Sequence, residues 1–234
     1  MAQRPIFHSV LQKPFYETVN VDFQFYPGFS VSQKQKSIIS LHEEYSKLYP
    51  DSNLLEISSK SQSSLGVSLS AFNLNIKTSK RSFSVECAFQ GSKVFEKGGP
   101  YADLLDKSSR EAKKDPRLRE SGKLIAFKYF DIQYPLEPKD FFYNWIYINA
   151  LNLNKELTED VLKYDSFSDI EFNPEKSLNC QAKAVAIFVG LSKQNLRAKA
   201  LESPDNFLEI VYGVGANQNQ QFNQMEFKFN ISDN

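Results

Sequence analysis

The chain has 234 residues, with 28 Lys+Arg balanced by 28 Asp+Glu and 41 % hydrophobic residues. That composition is ordinary for a globular protein. It excludes a nucleic-acid coat that binds through a broadly basic surface, while leaving room for a local basic cleft. No apolar run approaches the length of a membrane span, and the start MAQRPIFHSVLQKPFYETV lacks the uninterrupted apolar segment of a signal peptide. The two cysteines, Cys87 and Cys180, sit in apolar company without a disulfide framework, so a soluble cytoplasmic protein is expected.

In chain order, residues 1–30 are rich in aromatics and β-formers, and VNVDFQFYPGF alternates apolar and polar at Val19, Val21, Phe23 and Phe25. This predicts a strand ending at Pro27–Gly28. Ser30 caps a predicted helix over 31–48 whose inner face carries Ile38, Leu41, Tyr45 and Leu48. LLEISSKS (54–61) starts as a strand and passes into a Ser-rich loop, and SLSAFNLNIK (68–77) reads as a second strand. A helix is predicted from Ser84 to about Lys97, stopped by Gly98, Gly99 and Pro100. Residues 101–121 are charged and helical with Pro116 breaking the run, and they read as a solvated face. KLIAFKYFDIQYPL (123–136) is a strand and turn able to close as a hairpin. Lys139 or Asp140 opens a helix through FFYNWIYINALNLN, and a short helix follows over 155–163. FSDIEFNP is extended, and a helix runs from about Leu178 to Lys193. The Asn/Gln-rich tail from Asn217 reads as a flexible connection before MEFKFNI, a final edge strand. No repeat of fixed period is present.

The segment SVECAFQGSK (84–93) carries the sharpest chemical signal. At roughly 100° per residue, Glu86, Gln90, Lys93 and Lys97 fall within an arc of roughly 60°. Val85, Cys87, Ala88, Phe89, Val94 and Phe95 occupy the rest of the circumference. A mostly buried helix with one line of acid, amide and amine is either a buried ion pair with a helper amide or the wall of a pocket. In the second case the carboxylate serves acid/base chemistry, the amide orients a hydroxyl and the amine acts covalently or electrostatically. The other usual chemistries are poorly supplied. His8 and His42 lie far from each other and from the cysteines, against a Ser–His or Cys–His nucleophile pair and against a Cys/His zinc site. GVGAN near the end lacks the pattern of a glycine-rich phosphate loop. The turn ISSKS (57–61) is a different kind of phosphate holder, in which hydroxyls, backbone N–H groups and Lys60 converge.

SVECAFQGSK resembles the central motif of the NADAR (YbiA-like) superfamily, in which Ser-x-Glu-His, an apolar or aromatic pair, Gln and Lys follow one another on a helix. Ser84, Glu86, Gln90 and Lys93 match, and Cys87 replaces the usual His. LSAFNLNI (69–76) resembles the family's Leu-Ser-Asn-Phe stretch through Ser70 and Phe72, with Ala71 in place of Asn and Asn73 following. Ser109, Arg110, Glu111, Ala112 and Lys113 resemble the start of its Ser-Pro-x-Glu-Ala-Lys helix. FFYNWIYINAL supplies Trp145 where the family carries a Trp near its active site, and SLNCQAKAVAIFVGL resembles the final helix with Asn179 matching. The family's Tyr-Trp-Gly-Asp segment has no clear copy. YDSFSDIEFNPEKS takes its place, offering Asp165, Asp169 and Glu171 as the second acid. Asp169 and Glu171 are preferred because alternation along an extended FSDIEF points both to one face.

The resemblance implies an α+β fold: a mainly helical domain over 54–193 with a small sheet, an N-terminal extension over 1–53 packed on it and a C-terminal extension over 194–234. The set of motifs looks most like the NADAR antitoxins found beside DarT-type DNA ADP-ribosyltransferase toxins. It implies removal of ADP-ribose from guanine bases of single-stranded or opened DNA, with no cofactor and no membrane, and with ADP-ribose and a DarT-type toxin as further partners. Other family members cleave N-glycosidic bonds of riboflavin-pathway intermediates, and a non-catalytic ADP-ribose-binding module is a third reading. In the catalytic case Lys93 catches the ribose once burial, aided by Lys97, makes its amine nucleophilic, and Glu86 shuttles protons. Ser58, Ser59 and Lys60 hold the pyrophosphate, Phe72 or Trp145 stacks on a ring, and Ser70, Asn73, Gln90 and Asn179 complete the ligand contacts.

Overall fold

A computed structural model describes residues 2–215 and shows an α+β fold. The chain opens with the antiparallel pair β1 (Ala2–Ser9) and β2 (Tyr16–Phe23), registered from Ala2 opposite Phe23 to Ser9 opposite Tyr16. The helix α1 (Val31–Leu48) follows, with the Ser30 hydroxyl accepting from the Gln33 N–H as the sequence predicts. Ile38, Leu41 and Tyr45 are buried against Ile6, Val21, Phe23 and Ile170 in a small second core, whereas Leu48 at the helix end is exposed. Next come β3 (Leu54–Glu56), the single turn α2 (Ser64–Ser68), β4 (Asn75–Lys77) and β5 (Ser82–Ser84).

Two predicted elements change here. Residues 68–77 are not one strand. Leu69–Asn73 is a turn, because the Ala71 N–H is taken by the Gln181 side chain (2.8 Å) and the Asn73 amide bonds back to the Val67 carbonyl (2.8 Å). The helix predicted over 84–97 ends early: α3 covers Val85–Gly91, and Lys93–Phe95 forms the strand β6. Beyond Ser92 the backbone finds better partners across the gap. Lys93 lies opposite Phe127 and Val94 opposite Ala126, and apolar and aromatic residues suit a pleated, half-buried surface.

The charged stretch divides at Pro116 into α4 (Ser109–Lys114), started by a Ser108/Glu111 capping box, and α5 (Arg117–Glu120). The hairpin read from 123–136 is β7 (Leu124–Tyr129) with β8 (Ile132–Tyr134), and it completes a three-stranded sheet in the order β6-β7-β8. Then α6 (Phe141–Leu153), α7 (Lys155–Val161), β9 (Ser166–Ser168) and α8 (Gln181–Lys193) lead to the short helices α9 (Arg197–Ala200) and α10 (Pro204–Phe207) and a π-helical turn over Leu208–Tyr212. The residues from 216 on, including the expected tail strand MEFKFNI, lie outside the described part. Both α6 and α8 are apolar around nearly their whole circumference, the pattern of a helix with no solvent face, and they pack together at the centre of the main core with α3 against α6.

The larger sheet has the order β2-β1-β9-β3, so the first strand of the chain pairs with β9, which in turn runs parallel to β3. The β1–β2 pair is seated on α8 at Gly190, where an added Cβ would lie 2.7 Å from the carbonyl oxygens of Val10 and Phe15. Gly190→Ala is therefore expected to destabilise the protein. Overpacking against backbone costs about 1–3 kcal/mol, which exceeds the roughly 1 kcal/mol that alanine gains over glycine within a helix. Thermal melting checks this. A Tm equal to or above that of the parent would mean that the hairpin does not rest on α8.

Candidate functional site

A cleft of about 1020 Å³ is lined by residues of α3, β6 and β7, the start of α8 and the loops that follow β3, α2 and β9. One wall is α3, which presents Glu86, Phe89 and Gln90, with Lys93 at the first position of β6 continuing their line. The opposite wall comes from the turn after β9, with Asp169, Glu171 and Phe172, and from Asn179 and Gln181 at the start of α8. The loop after β3 brings Ser58, Ser59 and Lys60, and the Leu69–Asn73 turn brings Ser70, Phe72 and Asn73. Gln181 ties these walls together: its Nε2 donates to the Ile57 carbonyl (2.6 Å), its Oε1 accepts from the Ala71 N–H (2.8 Å), and its side chain also bonds to Asp169.

Twelve of the thirteen site residues expected from the sequence thus line one cleft. Trp145 does not. It follows Tyr143 by two positions on α6, which turns it roughly 200° away. Its ring packs edge-on against Phe207 with centroids 5.6 Å apart, and it bonds to the Tyr134 hydroxyl. Tyr143 is the α6 aromatic that faces the cleft. Asp165 is also separated from the site; it accepts from Ser52 (2.5 Å) and Ser166 (2.9 Å) on the far side of β9. Asp169 and Glu171 both reach the cleft, but by a turn at Ile170–Glu171 rather than by strand alternation. Each histidine contacts a β9 serine, His8 to Ser166 (2.7 Å) and His42 to Ser168 (2.8 Å), yet both serines are fully buried outside the cleft. Burial lowers the His42 pKa to about 4.

The electrostatics divide the cleft in two. On the α3 side Glu86 is 5 % exposed, and its Oε1 accepts from Gln90 Nε2 at 2.9 Å with Lys113 Nζ 3.9 Å away. The Lys93 ammonium lies 4.8 Å over the Phe89 ring and has no ion pair among the described residues. Burial pulls its pKa below the ordinary lysine value, the Glu86 charge opposes that shift, and the Lys113 cation adds to it. The second cation is therefore Lys113 on α4, not the expected Lys97, which is exposed beyond β6. On the β9 side burial holds the Asp169 carboxyl well above the usual carboxylate range, and the charge of Glu56 pushes it further. Glu171 stands at the rim in an ion pair with Lys34 of α1 (3.2 Å).

Arg110, Lys113, Lys139 and Lys176 add to Lys60 and Lys93, giving the lining six cations against Glu86, Glu137, Asp169 and Glu171. The charged face of α4 is thus partly a cleft wall rather than only a solvated surface. Two acceptors in the lining, Gln90 Oε1 and Asn179 Oδ1, are buried without a hydrogen-bond partner. An unmet buried acceptor costs about 1–3 kcal/mol, which a ligand hydroxyl or N–H recovers on binding.

A family model described as "DarT1-associated NADAR antitoxin" matches residues 2–221. The matched span includes the β1–β2 pair and the short helices after α8. No curated protein matches the chain.

Proposed function

The chain belongs to the DarT1-associated NADAR antitoxins, and from that premise we propose that it hydrolyses the N-glycosidic bond joining ADP-ribose to guanine in DNA. The observation that carries this reading is that one cleft holds both Lys93, whose pKa burial lowers, and Asp169, whose carboxyl burial holds well above the usual carboxylate range. The cleft also has the capacity for a dinucleotide-sized ligand, at the upper end of the roughly 300–1,000 Å³ of ordinary ligand sites. Its excess of cations suits a pyrophosphate, and its orphan acceptors suit ribose hydroxyls.

In this mechanism the neutral Lys93 Nζ attacks C1 of the ribose. The C1–N bond to guanine breaks, its electron pair goes to the guanine nitrogen, and that nitrogen takes the Asp169 proton. Glu86 accepts the proton shed by the Lys93 nitrogen. Water then attacks C1, giving a proton back to Asp169, while Glu86 returns its proton to the departing Lys93 amine. Free ADP-ribose and the starting enzyme result. Ser58, Ser59 and Lys60 hold the pyrophosphate, and Phe72, Phe172 or Tyr143 supplies the flat surface for a ring. Because a base bearing ADP-ribose must be reached in a pocket, the strand is unpaired or locally opened.

The test is release of ADP-ribose from an ADP-ribosylated single-stranded oligonucleotide. Retention of ADP-ribose without turnover overturns the enzymatic reading, and turnover of free N-ribosides but not of the oligonucleotide overturns the substrate. Binding to the modified strand by the inactive Glu86→Gln protein is expected to fall only gently with salt, with a log–log slope of about −1 to −3. Few phosphates are neutralised by a chain of zero net charge whose cleft holds only a small excess of cations. Tight, steeply salt-dependent binding to unmodified DNA would make the strand itself, not the lesion, the main ligand.

A further inference from the structure

Glu56 ends β3 and is 2 % exposed, outside the cleft lining. Its carboxylate is clamped across β9: Oε2 accepts from the Ser168 hydroxyl at 2.5 Å, and Oε1 from the Ile170 N–H at 2.9 Å. The residue between those two anchor points is Asp169. Ser58 of the cleft also hydrogen-bonds to Glu56. No cation pairs with Glu56 among the described residues, and a buried acid without one is expensive. Core packing alone gives no reason for a second carboxyl at this spot.

We propose that Glu56 is a positioning residue: held by Ser168 and Ile170 on either side of Asp169, its buried charge disfavours a second charge there, so that Asp169 meets the leaving nitrogen as an acid. This rests on the assignment of Asp169 as the acid in the reaction above. A second buried carboxyl ionises at a cost next to a first, so the charge of Glu56 raises the Asp169 carboxyl. Burial of Asp169 acts in the same direction, opposed only in part by the hydrogen bonds it accepts from the Glu171 N–H (3.0 Å) and the Gln181 side chain. Around it, from α6 come the Tyr143 and Tyr147 hydroxyls, from the start of α8 the Cys180 thiol and the Gln181 amide, and from its own turn Glu171. None of these is a cation, and Glu171 is itself paired with Lys34 at the rim.

Glu56→Gln tests it. The amide Oε1 still accepts from Ile170, and the new NH₂ faces Ser168 Oγ, whose hydroxyl rotates to accept. With the charge gone, Asp169 loses its proton at lower pH, so the alkaline limb of kcat/KM moves toward acid. The variant is expected to lose at least ~10-fold at pH 8, part of the ~10²–10⁴-fold worth of a positioned acid, while staying within ~2-fold of the parent at pH 5.5. Asp169→Asn is measured alongside. An active Asp169→Asn protein removes the assignment of Asp169 itself. An inactive one, with a Glu56→Gln profile that superimposes on the parent or falls equally at all pH, leaves Asp169 in place and overturns the role of Glu56. Infrared spectroscopy of the unaltered protein gives a readout that needs no variant: the C=O stretch of a protonated buried carboxyl is expected at pH 7, and its absence overturns the proposal.

Discussion

Replacing Lys93 by alanine is expected to lower ADP-ribose release by ~100-fold or more, the lower end of what a positioned catalytic group contributes, while leaving the protein folded. The fold survives because Lys93 is half-buried without an ion pair, so the substitution removes a desolvated charge and breaks no bridge. Two companion variants separate a covalent from an electrostatic role. Lys93→Arg keeps the charge and loses the nucleophile, so it is as inactive as the alanine variant if the nitrogen bonds to the ribose. Lys113→Met removes the cation that helps to lower the Lys93 pKa. The sign follows directly: the Lys93 pKa rises, less of the amine is neutral at pH 7, and the acidic limb of the rate profile moves to higher pH, with activity recovering there. The glycosylamine on Lys93 opens to its imine form, so reduction by borohydride during turnover should leave ADP-ribose fixed to Lys93 as the ring-opened secondary amine. A folded Lys93→Ala protein with near-normal turnover would sink the assignment.

How much of this was legible in the sequence depends on whether a residue's direction is encoded locally. Helix α1 was, because Ser30 provides a cap and Ile38, Leu41 and Tyr45 keep helical period. The line Glu86, Gln90, Lys93 was legible as chemistry, but the wheel that revealed it ran past the true helix. Lys93 stays in line because β6 leaves α3 on the cleft side, a consequence of pairing with β7 more than 30 residues on, which no local pattern carries. Trp145 and Tyr143 show the same limit from another direction. A helix buried all round has no polar face to orient it, so its hydrophobic pattern does not say which of two aromatics looks into a cavity. In α4 the opposite composition hides the same information: every position is charged or small, and only the packed structure places Arg110 and Lys113 on the rim. Glu56 was the least visible. The strand start in LLEISSKS gives it no role of its own, and its burial comes from parallel pairing with β9 over a hundred residues away.

Glu86→Gln is expected to cost ~10²–10⁴-fold in turnover while changing ADP-ribose affinity by no more than a few-fold. The substitution is close to isosteric. The glutamine Oε1 still accepts from Gln90 Nε2, so the orphan Gln90 Oε1 stays aimed at the cleft and the binding surface is kept. Only the ion pair with Lys113 disappears, a 3.9 Å approach by a side chain that is 58 % exposed, and such a pair adds little to stability. The functional deficit is elsewhere: the variant cannot take the proton from the Lys93 nitrogen after attack or hand it back when the amine leaves, and both halves of the reaction need that transfer. Calorimetric titration with ADP-ribose and single-turnover assays on the modified oligonucleotide measure the two effects separately. Loss of affinity in step with loss of rate would make Glu86 a binding group that fixes Gln90. Intact affinity with intact rate would reduce it to the buried partner of a glutamine, and the proton would then have to leave Lys93 by another path.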